Sequence, residues 1–253
     1  MDKKYYIPVI EVDLTNRCNL NCARCTHLSP LAQYNIMDYS LDVFEKDIKE
    51  LSNKFIVGIL RIVGGEPFLL PNLEDYLRVA KENFSYSAIE IFSNGILKDK
   101  IKELSLKLNQ YKIKTIVSKY KDHTQASSSD VSLVKNKETF RCIAISLTPD
   151  YDARKSKIRC ASKEDISMYN GRLYHCPIMK NLESLEKAFN IDFKLSLEDR
   201  SVDLYAPAEE VFLALHDESR WGKLCSHCPS SWRKYQWELS KKDIIEWVEI
   251  KDK

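Results

Sequence analysis

Val9-Ile10-Glu11-Val12-Asp13-Leu14 runs directly into Thr15-Asn16-Arg17-Cys18-Asn19-Leu20-Asn21-Cys22-Ala23-Arg24-Cys25. The first six residues alternate, with Ile10, Val12 and Leu14 on one face and Glu11 and Asp13 on the other, which is the period of a strand. The three cysteines then fall at C-x3-C-x2-C on the loop that leaves it. Working outward, Ser40 begins a helical pattern through Phe55, with Leu41, Phe44, Ile48 and Leu51 on one face. A second strand, Ile59 to Val63, closes in Gly64-Gly65-Glu66-Pro67. Asn72 opens a helix that reaches Phe84, and Ala88 to Phe92 is a third strand ending at Ser93-Asn94-Gly95. A helix near Lys98 to Tyr111 leads to a fourth strand, Ile113 to Ser118. Strands alternating with helices predict an α/β fold with a parallel sheet, either a barrel or a doubly wound sheet.

The rhythm breaks after Tyr120. Asp122 to Lys137 is polar and serine-rich and reads as a long loop, and Cys142 to Leu147 as a short apolar strand. Ile166 to Tyr169, Asn170-Gly171 and Leu173 to His175 predict a β-hairpin. Helices are expected near Leu182 to Phe189, Ala208 to His216 and Pro229 to Leu239. These changes divide the chain into a core, 1–155, and a smaller C-terminal unit, 156–253.

The 253 residues are 44% hydrophobic and 30% charged, with a net charge of +2, so no large field recruits nucleic acid or an anionic membrane. Phe55 to Leu60 is the longest apolar stretch, too short to span a bilayer, and Met1 to Lys4 precede the first strand without an apolar signal core. A cytoplasmic protein is expected. In a reducing compartment, eight cysteines, at 18, 22, 25, 142, 160, 176, 225 and 228, point to metal or cluster ligation rather than disulfides. Three thiolates within eight residues suit a [4Fe–4S] cluster with one iron left open. A zinc site lacks a fourth ligand nearby. Cys160, Cys176, Cys225 and Cys228 form a second set which, on spacing alone, fits a zinc ribbon or an iron–sulfur cluster equally.

Cys18, Cys22 and Cys25 with Gly64-Gly65-Glu66-Pro67 resemble the radical SAM superfamily. The resemblance covers roughly residues 7 to 120 and implies a partial (β/α)6 TIM-type barrel, with S-adenosylmethionine (SAM) bound to the cluster. In that chemistry SAM is cleaved to a 5′-deoxyadenosyl radical that takes hydrogen from a substrate, the electron coming from a flavodoxin- or ferredoxin-type donor. Gly64, Gly65 and Glu66 then match the motif that holds the methionyl amino group. Ser93 and Asn94 lie beside the cofactor, and Ser118 faces its ribose. Arg24 replaces the aromatic usual before the third cysteine, and its guanidinium is expected to stack on adenine. The second cysteine set resembles the twitch domain, a C-terminal module with one auxiliary [4Fe–4S] cluster, which makes two [4Fe–4S] clusters in all.

Glu11 and Asp13 are expected to point into the barrel with Arg61 and Glu90, giving a polar lumen or an ion-pair network at its closed end. His175 and His227 read as outer-shell donors or surface residues. Cys142 is either a buried apolar residue or a hydrogen-atom donor. The basic run Arg154, Lys155, Lys157, Arg159 reads as a solvated face, though it would suit a phosphate-bearing substrate. The layout also resembles a radical SAM aminocyclitol dehydrogenase and radical SAM proteins of surface-polysaccharide loci. The leading expectation is oxidation of a secondary alcohol on a sugar, sugar nucleotide or cyclitol. Redox-neutral epimerisation through Cys142 is the alternative, and peptide maturation is third because no leader-binding domain precedes the first strand.

Overall fold

The computed structural model describes residues 3–120, 122–142, 144–231 and 233–250, without the side chains of residues 140–142. The first strand, β1 (Tyr5–Asp13), is followed by α1 (Leu41–Lys54), β2 (Phe55–Val63), α2 (Leu73–Asn83), β3 (Ala88–Ser93), α3 (Lys98–Gln110) and β4 (Ile113–Lys119). This is the expected alternation. β2 starts four residues before the expected Ile59, because Phe55 leaves α1 straight into extended backbone. Ser40 and Asn72 stand at the helix starts, but neither side chain makes a capping hydrogen bond.

Three expectations change. A strand, β5 (Leu133–Asn136), lies inside the stretch read as loop, pairing parallel with β4. β6 is Thr139–Cys142, earlier than the expected Cys142 to Leu147, and it pairs antiparallel with β10 (Arg233–Gln236), where a helix was expected. Both errors have one cause. β5 and β10 are four-residue, largely exposed strands, Leu-Val-Lys-Asn and Arg-Lys-Tyr-Gln, too short and too solvated for an alternating apolar period to mark them.

Beyond β6 come α4 (Ala153–Arg159), β7 (Asp165–Tyr169), β8 (Arg172–Tyr174), α5 (Pro177–Lys180), α6 (Leu182–Phe189), α7 (Leu197–Arg200), β9 (Ser201–Asp203), α8 (Ala208–His216) and α9 (Glu218–Cys225). The hairpin forms as expected, its turn made by Asn170 (φ 48°) and Gly171 (φ 73°), both left-handed as a two-residue hairpin requires. The strands join into one eight-stranded sheet in the order β5-β4-β3-β2-β1-β7-β8-β9, parallel from β5 to β7. The sixth parallel strand therefore flanks β1 instead of following β5, so the hairpin of the C-terminal half extends the barrel sheet.

Ile10, Val12 and Leu14 are sealed in the main core against α1 to α3. A second apolar cluster joins Leu28 and Leu31, just past the cysteine loop, to Leu182, Phe193, Leu224 and Trp247. Buried Asp47 on α1 ties the halves together, accepting hydrogen bonds from the Gly171 amide at 2.6 Å and from the hydroxyls of Tyr39 and Tyr205. Among the described residues, no helix is long and apolar enough to cross a membrane.

Candidate functional site

A cavity of about 370 Å³ opens at the C-terminal ends of the parallel strands, where α/β folds place their chemistry. Cys18, Cys22 and Cys25 line it together with Gly64, Gly65, Ser93, Asn94 and Ser118. Residues at or just past the C-terminal ends of four parallel strands, β1 to β4, thus reach one place.

The glycines are explained by the chain itself. A Cβ on Gly64 (φ +132°) would stand 2.3 Å from the Thr15 carbonyl oxygen, and one on Gly65 would stand 2.0 Å from that of Arg17. The cysteine loop lies directly on them, held by the Gly65 amide to Thr15 O at 2.7 Å and the Glu66 amide to Arg17 O at 2.8 Å. Glu66 does not line the cavity. Its fully buried carboxylate accepts from Ser93 Oγ at 2.9 Å, the Asn94 amide at 2.7 Å and the Phe68 amide at 3.2 Å, so it fixes the turn after β3. Burial pushes its pKa up to about 7, against those donors. Asn94 in turn reaches Asn19 Oδ1 at 2.7 Å and lies 3.6 Å from Cys18 Sγ.

Burial pushes the thiols of Cys18 and Cys22 up to about 12, with repulsion from Cys25 adding to it. Thiols so placed ionise together only around a cationic centre, which is what an iron–sulfur cluster provides. The donor set therefore fits the expected cluster. In the second set, burial raises the thiols of Cys176 to about 12 and Cys225 to about 11, and it raises Cys160 as well. Cys228 is raised by burial and then by Cys176, Cys225 and Cys160, so the four sulfurs share one neighbourhood. Among the described residues, no group of three or more His, Cys, Asp or Glu side chains is close enough to hold a single metal ion.

The lumen charges meet in register. Glu11, Arg61 and Glu90 are neighbours across β1, β2 and β3. Arg61 lies 3.4 Å from Glu11, 3.4 Å from Glu90 and 3.2 Å from Asp165. Glu11 and Arg61 line the cavity, so the network and the polar lumen are one feature. Burial raises the pKa of Glu11 above the usual carboxylate value. Asp13 does not line the cavity. It is buried in an ion pair with the fully buried Lys180 and contacts His27 Nδ1 at 3.0 Å, and His27 is the residue that lines the wall.

Arg24 is also elsewhere. It takes left-handed backbone (φ 59°), pairs with Glu238 at 2.6 Å and lies 4.0 Å over the Tyr235 ring, outside the cavity lining. The aromatics on the wall are Phe92 and Tyr120, the Tyr120 ring 5.4 Å from that of Trp237, whose indole Nε1 donates to Cys22 Sγ at 3.3 Å. Only the aromatic character of the stretch Trp232 to Trp237 could have hinted at this contact. His175 and His227 are both buried rather than on the surface. His227 Nδ1 contacts Ser146 O at 2.8 Å, whereas both His175 ring nitrogens, next to Cys176, lack a hydrogen-bond partner among the described residues. The side chain of Cys142 lies outside what the structure describes; its backbone pairs with Arg233 in the separate two-stranded sheet.

Comparison with known proteins fits this geometry. Residues 12–124 match the Radical SAM superfamily, and that match implies SAM and a [4Fe–4S] cluster. The GTP 3′,8-cyclase of Aquifex aeolicus is 30% identical over 102 residues, 39% of this chain and 31% of that protein. The one from Clostridium perfringens is 32% identical over 105 residues, with the same coverage. The match thus spans under a third of these relatives' length. Among solved structures, BtrN in complex with AdoMet and 2-DOIA superposes with a TM-score of 0.54 at 17% identity, over 90% of this chain and 94% of that one. BtrN in an open conformation gives 0.50 at 19%, over 90% and 88%. Both show a shared fold.

Proposed function

We propose that this chain is a radical SAM oxidoreductase that converts a secondary alcohol of a sugar, sugar nucleotide or cyclitol to a ketone. The observation that carries the reading is the second neighbourhood of four half-buried thiols, Cys160, Cys176, Cys225 and Cys228, in a chain whose first three cysteines line the cavity. A redox-neutral radical reaction has no need of an electron acceptor, whereas an oxidation does. The likeness to BtrN, crystallised with AdoMet and 2-DOIA, supports the same direction because it extends through the C-terminal half.

When bound, SAM and its cluster would supply the radical that takes a hydrogen atom from the carbinol carbon, and a cluster at the second set would accept the remaining electron. The chain's own residues do the rest. Gly64, Gly65, Ser93, Asn94 and Ser118 seat the cofactor. Glu11, on the cavity wall with a raised pKa, takes the hydroxyl proton as the carbonyl forms, and Arg61 holds that carboxylate in place. Buried Asp13 orients His27 rather than meeting substrate.

The test is turnover in D2O with candidate alcohols under anaerobic conditions. Product two mass units lighter than substrate supports oxidation. Deuterium in an isomer of unchanged formula means epimerisation and overturns the reading. Cys225→Ala should abolish ketone formation, and Glu11→Gln should leave SAM binding intact while slowing it about 10²-fold or more.

A further inference from the structure

The wall of the cavity formed by β5 carries Lys135 and, just past the strand, Lys137. Two positions apart on extended backbone, they share one side of the chain. Lys135 is in register with Ser118 on β4, another lining residue, and its ammonium lies 5.6 Å from the ring centroid of Phe92, a third. The Lys137 amide is fixed to Lys119 O at 2.8 Å, which sets the strand's exit against β4.

Among the residues that line the cavity, Glu11 is the one carboxylate, and it stands on β1, four places along the sheet from β5, beside Arg61. The lysine wall is therefore cationic, and burial lowers the pKa of Lys137, with the charge of Lys135 lowering it further. An anion placed between the two ammonium groups would accept hydrogen bonds from both. The basic run expected to serve a phosphate does not reach the cavity. Arg154 pairs with Glu218, Lys157 lies over the Trp221 ring and Arg159 is near Ser230 O.

We propose that the substrate carries a phosphate or pyrophosphate group, held by Lys135 and Lys137 at the β5 edge of the cavity. This rests on the cavity being the substrate site, and it narrows the substrate class to phosphorylated or nucleotide-linked alcohols. Gly64 and Gly65, the residues matched to the methionyl end of SAM, follow β2, three places from β5, so the phosphate and the methionyl amino group take different ends of the site.

The probe is inorganic pyrophosphate, titrated calorimetrically into anaerobically reconstituted, SAM-loaded protein. The wild type should bind it, and Lys135→Gln/Lys137→Gln should weaken binding at least about tenfold while SAM affinity stays within about twofold. Lys135→Arg/Lys137→Arg should retain it, which separates loss of charge from loss of fold. Pyrophosphate binding that is absent in the wild type or unchanged in the glutamine variant overturns the proposal. So does loss of SAM affinity in the glutamine variant, which would assign the lysines to the cofactor's carboxylate. No turnover is needed, so the oxidation reading stands or falls separately on product mass.

Discussion

The indole N–H of Trp237 points at the sulfur of Cys22 across 3.3 Å, although 215 positions separate them in the chain. The contact belongs to a strap, residues 237–248, that lies over the cysteine loop. Ala23 N donates to Glu238 O at 3.0 Å, Ser240 N to Asn21 O at 2.8 Å, and Trp247 Nε1 to Cys25 O at 3.0 Å. The strap begins nine residues after Cys228, so the segment that leaves the second cysteine set closes over the first.

A hydrogen bond to a cluster sulfur stabilises the reduced state, in which that sulfur is more negative. Trp237→Phe keeps the ring against Tyr120 and His123 and removes only the donor. A preferential contribution of ~1 kcal/mol to the reduced state corresponds to about 40 mV for one electron. The midpoint potential, read by EPR during a redox titration, should therefore fall by tens of millivolts with iron content unchanged. An unmoved potential would show that the contact is packing alone.

Glu66 holds Ser93 and Asn94 in place from outside the cavity lining, so Glu66→Ala is expected to act at one remove. It strips three donors of their acceptor, at ~1–3 kcal/mol each where they stay buried and unpaired. The expected result is weaker SAM binding and a lower Tm with full iron loading. SAM affinity equal to wild type would separate this turn from the cofactor site.

The buried Asp13–Lys180 pair carries a pH signature. Desolvation alone would raise the carboxyl's pKa, but Lys180 and His27 outweigh it and hold Asp13 below the usual carboxylate range. A depressed acid contributes stability that is full above its unfolded pKa of about 3.9 and is lost as pH falls through that value toward the folded one. Lys180→Met alone should cost ~3–5 kcal/mol at pH 7, because it leaves Asp13 buried without its cation, and Asp13→Leu added to it should recover much of the loss. Urea unfolding of wild type and double variant at pH 7 and at about pH 3, below the unfolded carboxyl value, checks both points. Wild type should lose more on acidification; equal losses would remove the pair from the account.

Asp47 gives a sharper mechanical test. Asp47→Ala leaves the Gly171 amide and two tyrosine hydroxyls without their acceptor, and it should destabilise the chain by ~2–5 kcal/mol. Chemical denaturation should show this as a lower midpoint. A change below ~1 kcal/mol would mean that the turn is held by other contacts.

What could be read from the sequence was what lies close together in it. The alternation of Ile10 to Leu14, the C-x3-C-x2-C loop, Gly64-Gly65 and the Asn170-Gly171 turn each carry their meaning within a dozen residues. β5 and β10 are hidden because they are short and largely exposed, and Lys135 of β5 stands on the cavity wall itself. Asp47, Lys180 and Trp237 were hidden for another reason. Their partners Gly171, Asp13 and Cys22 lie 124, 167 and 215 residues away, and only the folded sheet brings them together. Arg24 was legible as a departure, but its partner Glu238 was not, so its side chain was expected on the wrong side of the loop.

The central claim is that one chain holds two separate iron–sulfur sites, the first for SAM and the second for an electron. Metal analysis of anaerobically reconstituted wild type and of the Cys18→Ala/Cys22→Ala/Cys25→Ala variant tests it directly. The account predicts about eight irons in the wild type and about four in the variant, with no bound zinc. About four irons with one zinc in the wild type, or loss of all iron from a variant that is still folded, would contradict it.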